Sequence, residues 1–453
     1  MTNQSQQGEA RALLALLTKD LEVKTLDQAR LEETLSKLKV LGRNVNNVSS
    51  IYNDEGIKTL GGYAFDNFSS SVRREALRCI ANALLLIPAA RKSPLKLKLD
   101  KKAADALRDA NDDDEFLLSR ILFLLTYDPG IDMTALISDH NLADAIVKHL
   151  SRHADEATKS SSKAPVGLGN MALMETLKLL FNATSVESDQ LTKFRPAVVE
   201  LFRLLIHSDV PSPALQPPIS LIVNALANLD IDSQMAKDHE AYPAVDRLVA
   251  ILEQAIQEHS STELNTVAVP LLTVLRNINE AADPELREKM KARLLPDDKE
   301  RDQPLGKSSS LASQLLRLTT SSGMLNLSES ISGLMFELSN KDANEYVKNV
   351  GYGYAAGYLM THKIPIPESA KKSHIAGETS NEVPINPITG QRLDKEQPIE
   401  LPEMTREEKE REAERMFVLF ERLKSTGVVN VKNPVEVAND EGRFEELSDS
   451  DSE

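Results

Sequence analysis

The chain has no tryptophan and one cysteine, Cys79, among 453 residues. One thiol excludes an internal disulfide framework and any multi-cysteine zinc site. Its neighbours Leu77, Ile80 and Leu84 point to a buried core thiol. Aromatic residues make up only 4%. Leucine and alanine carry the apolar content instead, which suits packed helices more than sheets. No apolar run approaches the ~20 residues needed to span a bilayer. The opening MTNQSQQGEA lacks the basic-then-apolar order of a secretory signal, so the cytoplasm is the expected compartment. Positive charge is short as well: 53 basic residues face 69 acidic ones, a net charge of −16. That balance argues against a general nucleic-acid or anionic-membrane binder. It leaves room for a local basic groove, because Lys39, Arg43, Arg73, Arg74, Arg78, Arg91, Lys92, Lys96 and Lys98 crowd the first hundred residues. Ordinary solvated helix faces explain the same residues.

Motifs for chemistry are missing their contexts. Gly351, Gly353 and Ala356 in GYGYAAG have dinucleotide-fingerprint spacing, but ANEYVKNV before them reads as helix, not strand. A phosphate loop ending at Gly306-Lys307-Ser308 would need glycine where Arg301 stands. DANDDDEF would place Asp114 and Arg120 where a calcium loop needs glycine and glutamate. His149 and His153 lie one turn apart without a third ligand and read as a surface pair. No GxSxG elbow occurs. No catalytic residue, metal or cofactor is expected, and an enzyme is disfavoured.

What the chain does have is helical periodicity from Arg11 to about Lys363, with breakers such as DPG at 128–130 and PSPALQPP at 211–218. One pattern recurs: apolar, two residues, apolar, one residue, polar. It runs Leu38/Leu41/Arg43, Leu77/Ile80/Asn82, Ile121/Leu124/Thr126 and Leu177/Leu180/Asn182. It continues as Val223/Leu226/Asn228, Leu272/Leu275/Asn277 and Met335/Leu338/Asn340. The polar positions lie 39 to 63 residues apart, the longest gaps carrying insertions at 158–169 and 296–310. That is close to the ~40–47-residue unit of armadillo and HEAT repeats. The expected fold is an all-α armadillo/HEAT-like superhelix over 1–363.

The apolar pair, three apart, shares one helix face, and the polar residue lies off that stripe. Asparagine is a poor helix-interior residue, because its amide competes for backbone hydrogen bonds. A stacked row of asparagines either offers amides to a partner's backbone or braces neighbouring helices.

Residues 364–403, rich in proline and polar groups, read as an extended linker. A helix over 404–427 follows, with a capping box at Thr405 and Glu408 and a C-terminal cap at Gly427. Ala413, Met416, Phe417, Phe420 and Leu423 make its apolar stripe, which either folds back on the repeats or grips a partner. The acidic tail 428–453 reads as disordered.

EALRCIANAL, RILFLLT, ETLKLLFNAT, VKNVGYGYAAGYL, INPITGQ and MTREEKEREAERMFVLFERL, in this order, resemble the synembryn family, also called resistance to inhibitors of cholinesterase. The resemblance covers most of the chain, and VKNVGYGYAAG followed by INPITG is its most specific part. It implies a non-catalytic guanine nucleotide exchange factor and folding chaperone for heterotrimeric G-protein α subunits. The Gα C-terminal helix would lie in a concave groove, and the chain's own C-terminal helix would reach the Gα nucleotide domain. Groove residues implied are Lys39, Arg43, Arg78, Asn82, Arg120, Asn182, Asn224, Asn228 and Asn277, with Met416, Phe417, Phe420 and Leu423 on the C-terminal helix. Lys39 stands where animal members carry arginine, keeping the charge but losing bidentate geometry. Candidate sites for an acidic-directed kinase are Thr379 and Ser380, where the family places them, and Ser448 and Ser450, which have acids three residues on. Recruitment to the cell cortex or plasma membrane through Gα is implied too. The alternative is a helical-repeat adaptor or transport scaffold for another protein, against which the missing tryptophan counts.

Overall fold

The computed structural model describes residues 3–44, 48–159, 168–185, 190–237, 240–321, 323–371, 383–396, 405, and six positions between 411 and 418. Seven helices stack side by side as one layer: α1 Gln28–Leu41, α2 Ser70–Leu86, α3 Asp112–Leu125, α4 Leu168–Thr184, α5 Ile219–Ala227, α6 Val269–Ala281 and α7 Leu325–Leu338. Each packs on the next. The recurring pattern falls on these seven. Its apolar pairs are buried from Leu38 to Leu338, with Leu41 alone only partly covered. The sequence frame was therefore the layer itself, and the all-α armadillo-like class holds.

A second layer covers the buried side. Leu142–Lys159, Ala197–His207, Ala241–Glu258 and Pro284–Leu294 pack in that order. Local chemistry starts the helices where the layers need them. Asp27 caps α1 by accepting from Arg30 N–H, and Asn111 caps α3 by accepting from Asp114 N–H. Four acids, Asp112 to Glu115, then occupy the positive end of α3.

Glu115 also joins the layers. Its carboxylate is fully buried and takes Thr176 Oγ1 of α4 at 2.6 Å and Arg152 Nη2. His153 Nε2 lies 3.1 Å away and His149 Nδ1 3.2 Å, while His149 Nε2 donates to Leu107 O at 2.7 Å. The two histidines are thus not a surface pair. They are 2% and 5% exposed and line the pocket that holds the buried Glu115 carboxylate.

Two further helices follow the layer, α8 Ala343–Val350 and α9 Tyr352–Thr361, joined at Gly351 with φ +80°. Residues 383–395 differ from the expected free linker: they form a strap docked on this end. Ile385 and Arg392 make an antiparallel bridge, the only strand-like pairing among the described residues. Pro387 O and Ile388 O accept from Tyr352 and Gly353 N–H at 2.7 and 3.1 Å, satisfying the orphan donors at the start of α9. Arg301, 8% exposed, donates to Gly390 O at 3.0 Å and Asn349 O at 3.2 Å. A Cβ on Gly351 would sit 2.9 Å from Ile388 O, and one on Gly390 2.4 Å from Leu305 Cδ1. Glycine is required at both by space and by positive φ. The two most specific sequence segments are thus two sides of one contact. The first compact unit ends at Lys395, not near 363; the second is 396–453.

Burial alone would raise the Glu115 carboxyl, but hydrogen bonds and attraction from His149 and His153 outweigh it and hold it well below the usual 4.5. A folded value below the unfolded one means stability that is complete above the unfolded value and lost as pH falls past it. Glu115→Gln should cost about 3–5 kcal/mol at neutral pH by removing the buried charge that Arg152 and Thr176 hold. Denaturant melts should show that difference shrinking below pH 4.5.

Candidate partner-binding face

The side of α1–α7 turned away from the second layer carries Lys39, Arg78, Arg120, Asn182, Asn224 and Asn277, none of them buried. Stacking brings them into one row, although the sequence separates them by dozens of residues. Cations on this face are held by carboxylates, Lys39 and Arg120 across to the next helix and Arg78 and Lys178 within their own. Lys39 Nζ lies 2.6 Å from Glu75 Oε2, and Arg78 Nη1 lies 2.7 Å from Glu75 Oε1. Arg120 Nη1 and Lys178 Nζ each lie 2.9 Å from Glu175 Oε1. Further along, Arg276 Nε donates to Glu337 at 3.1 Å, and this hydrogen bond outweighs burial to raise the guanidinium.

Lys39, Arg78 and Arg120 are therefore paired on this face. Two cations share each of Glu75 and Glu175, so each cluster keeps an excess of one positive charge. Arg43, just past α1, is exposed and has no ion pair among the described residues. Cys79 is buried beneath the first cluster; burial, reinforced by Glu75, pushes its thiol up to about 12. That agrees with an inert core thiol.

The asparagines divide. Asn182 Nδ2 donates to Thr126 Oγ1 at 2.7 Å, and Asn228 Nδ2 to Phe181 O at 3.2 Å and Ser185 Oγ at 3.0 Å. These two brace adjacent helices. Asn224 and Asn277 are half-buried on the same face, with no side-chain hydrogen bond to a described residue. Asn82 faces the Tyr52 hydroxyl, yet neither Asn82 Nδ2 nor that hydroxyl completes a hydrogen bond. Asn340 leaves the row: α7 has ended at Leu338, and Asn340 turns out at φ +56° to donate to Glu345 at 2.7 Å.

An apolar strip beside the cations was missed from sequence. Val40, Tyr127 and Phe181 are exposed, and Phe123 is half-buried. Phe123 and Tyr127 meet edge to face at 5.3 Å, with Lys178 over the Phe123 ring at 6.0 Å. The available signal was two aromatics at i and i+4 in a chain that has few. Of the C-terminal helix, Phe417 is described and exposed. Met416, Phe420 and Leu423 lie outside the described residues, as do Thr379, Ser380, Ser448 and Ser450 and the proposed caps beyond Thr405. No three histidine, cysteine or acidic side chains among the described residues are placed to hold a metal ion. No helix among them is long and apolar enough to cross a membrane.

Stacked helices in two layers, with a polar and apolar row along one of them, define an armadillo-type repeat protein. A solved structure described as "A conserved phosphorylation switch controls the interaction between cadherin and beta-catenin in vitro and in vivo" shares the fold at TM-score 0.50. That likeness has 12% identity and covers 77% of this chain and 60% of the other. The chain belongs to the synembryn family, whose model, described as guanine nucleotide exchange factor synembryn, matches residues 34–443. A synembryn-like chaperone of Schizosaccharomyces pombe is 27% identical over 295 residues, 60% of this chain and only 55% of that relative. Chaperone Ric-8A of Xenopus tropicalis is 24% identical over 501 residues, 99% of this chain and 90% of the relative.

Bracing and unspent asparagines should separate by mutation. Asn182→Ala should lose about 1 kcal/mol of stability with its interhelix hydrogen bond. Asn224→Ala should stay within about 0.5 kcal/mol of the parent. Urea titration of both variants checks this; equal losses would contradict the division.

Proposed function

We propose that this protein is a non-catalytic exchange factor and folding chaperone for heterotrimeric G-protein α subunits. The supporting observation is the open face of α1–α6. It combines two clusters with excess positive charge, an exposed Arg43, an apolar strip and the half-buried amides of Asn224 and Asn277. An amphipathic helix ending in a carboxylate matches all four features. In this reading the Gα C-terminal helix lies along the face. Its apolar side meets Val40, Phe123, Tyr127 and Phe181, and its terminal carboxylate meets Arg43. Lys39, Arg78 and Arg120 supply the wider positive field, while Asn82, Asn224 and Asn277 take backbone groups. The stripe Met416, Phe417, Phe420 and Leu423 is the second contact, on the nucleotide-binding domain of Gα.

Exchange of this kind makes and breaks no covalent bond. It needs only that the face bind nucleotide-free Gα more tightly than the nucleotide-bound form. Holding the C-terminal helix away from the nucleotide pocket lowers the affinity for GDP. By linkage, GTP binding then lowers the affinity for the scaffold and ends the cycle. The same hold on an incompletely folded Gα is chaperoning.

GDP release from purified Gα should accelerate when this protein is added, and Gα synthesised in its presence should gain nucleotide-binding activity. Neither effect, across a panel of Gα classes, would sink the proposal. Arg43→Ala should weaken Gα binding by about 1–3 kcal/mol in calorimetric titration, the value of a charged hydrogen bond. Unchanged affinity would remove Arg43 from the contact.

A further inference from the structure

Three serines at the edge of the 296–310 insertion converge on one acid. Ser308, Ser310 and Ser313 each direct a hydroxyl at Glu300 Oε2, Ser308 from 2.9 Å and Ser313 from 2.8 Å. Ser310 also caps the helix Leu311–Thr319 by accepting from Ser313 N–H. Glu300 opens the short turn Glu300–Asp302. The next residue, Arg301, holds the strap with its guanidinium, and its carbonyl accepts from Arg392 N–H at 2.9 Å. Asp302 O accepts from Gln391 Nε2 at 3.2 Å, and Leu305 N–H donates to Thr389 O at 3.0 Å. Residues 300–305 are thus the plate on which the strap lies, and a carboxylate ringed by hydroxyl donors keeps the plate in position.

A cation without an acid holds the backbone at Ser308. Arg317 Nη1 donates to Gly306 O at 2.7 Å and Ser308 O at 2.9 Å and has no carboxylate partner among the described residues. Ser308 is half-buried between the exposed Lys307 and Ser309. Ser308 thus gives its hydroxyl to an acid while its backbone carbonyl is held by an arginine with no carboxylate partner among the described residues.

We propose that Ser308 is a phosphorylation site that acts as a charge-sensitive release for the strap. A protein kinase transfers the terminal phosphoryl group of ATP: the Ser308 Oγ–P bond forms and the bridging P–O bond to ADP breaks. ADP leaves with the bonding electrons, and the hydroxyl proton passes to the kinase's base. The product carries about two negative charges and no longer donates. Glu300 loses one donor and gains a like charge at hydrogen-bond distance, while Arg317 and Lys307 gain an anion to pair with. The turn 300–302 moves off with Glu300, and the strap loses Arg301 and Asp302 together. Because the first unit ends at Lys395, release frees the point from which residues 396–453 depart.

The test uses the full chain with phosphoserine inserted genetically at position 308 and reads amide hydrogen exchange over 383–395. Exchange there should be at least about tenfold faster than with serine, the mark of a local opening. Ser308→Ala leaves Glu300 two donors and adds no charge, so the strap should stay protected. Glu300→Gln in the phosphoserine chain should restore protection. Equal exchange with serine and phosphoserine would overturn the proposal, and so would fast exchange that persists after Glu300→Gln. Acceleration spread over all helices would overturn it too, since the domain would then be unfolding. No partner is present in this measurement, so its failure leaves the Gα reading standing.

Discussion

No helix of the α1–α7 layer can bury its apolar stripe alone. Each must lay it against the helix before and after it and against the second layer beneath. That requirement repeats down the chain and fixes the rest. It sets the recurrence of apolar pairs from Leu38 to Leu338. It also forces whatever stands off the stripe into one row on the open face, however far apart in sequence. The insertion at 296–310 lies between the helices Pro284–Leu294 and Leu311–Thr319, where extra chain costs little.

Charge on that face is organised by the same stacking. A partly exposed ion pair stabilises a fold only weakly, so Lys39–Glu75 and Arg120–Glu175 matter more for where they hold cations than for stability. Each cation is fixed by a carboxylate of an adjoining helix or turn, with its rotamers already restricted. In the proposed complex a partner would meet an ordered surface and lose less entropy in forming contacts. The excess of one charge at each cluster, rather than the bare number of basic residues, makes a local positive field in a chain of net charge −16.

The sequence made the stacked layer legible because an apolar pair with a trailing polar residue is a short-range pattern. It could not show that Lys39 and Arg120 were paired, because Glu75 and Glu175 approach them only across a helix interface. The same blindness put His149 and His153 on the surface: their periodicity was visible, but Glu115 on another layer was not part of it. Asn340 fitted the pattern by spacing and failed by conformation, since the helix stops at Leu338. INPITGQ looked like linker because an extended, proline-bearing segment has no periodicity of its own. Its partners are the first N–H groups of α9 and a buried Arg301, neither deducible from local composition.

The central claim is that the open face of α1–α6 is the grip on Gα. Hydrogen exchange of the full chain, alone and in complex with nucleotide-free Gα, tests it most directly. The account predicts new protection on the exposed side of this layer, strongest from Arg43 through Asn82 and Tyr127 to Asn224. The second-layer helices Ala197–His207 and Ala241–Glu258 should be unchanged. Protection confined to those second-layer helices, with none along α1–α6, would contradict it.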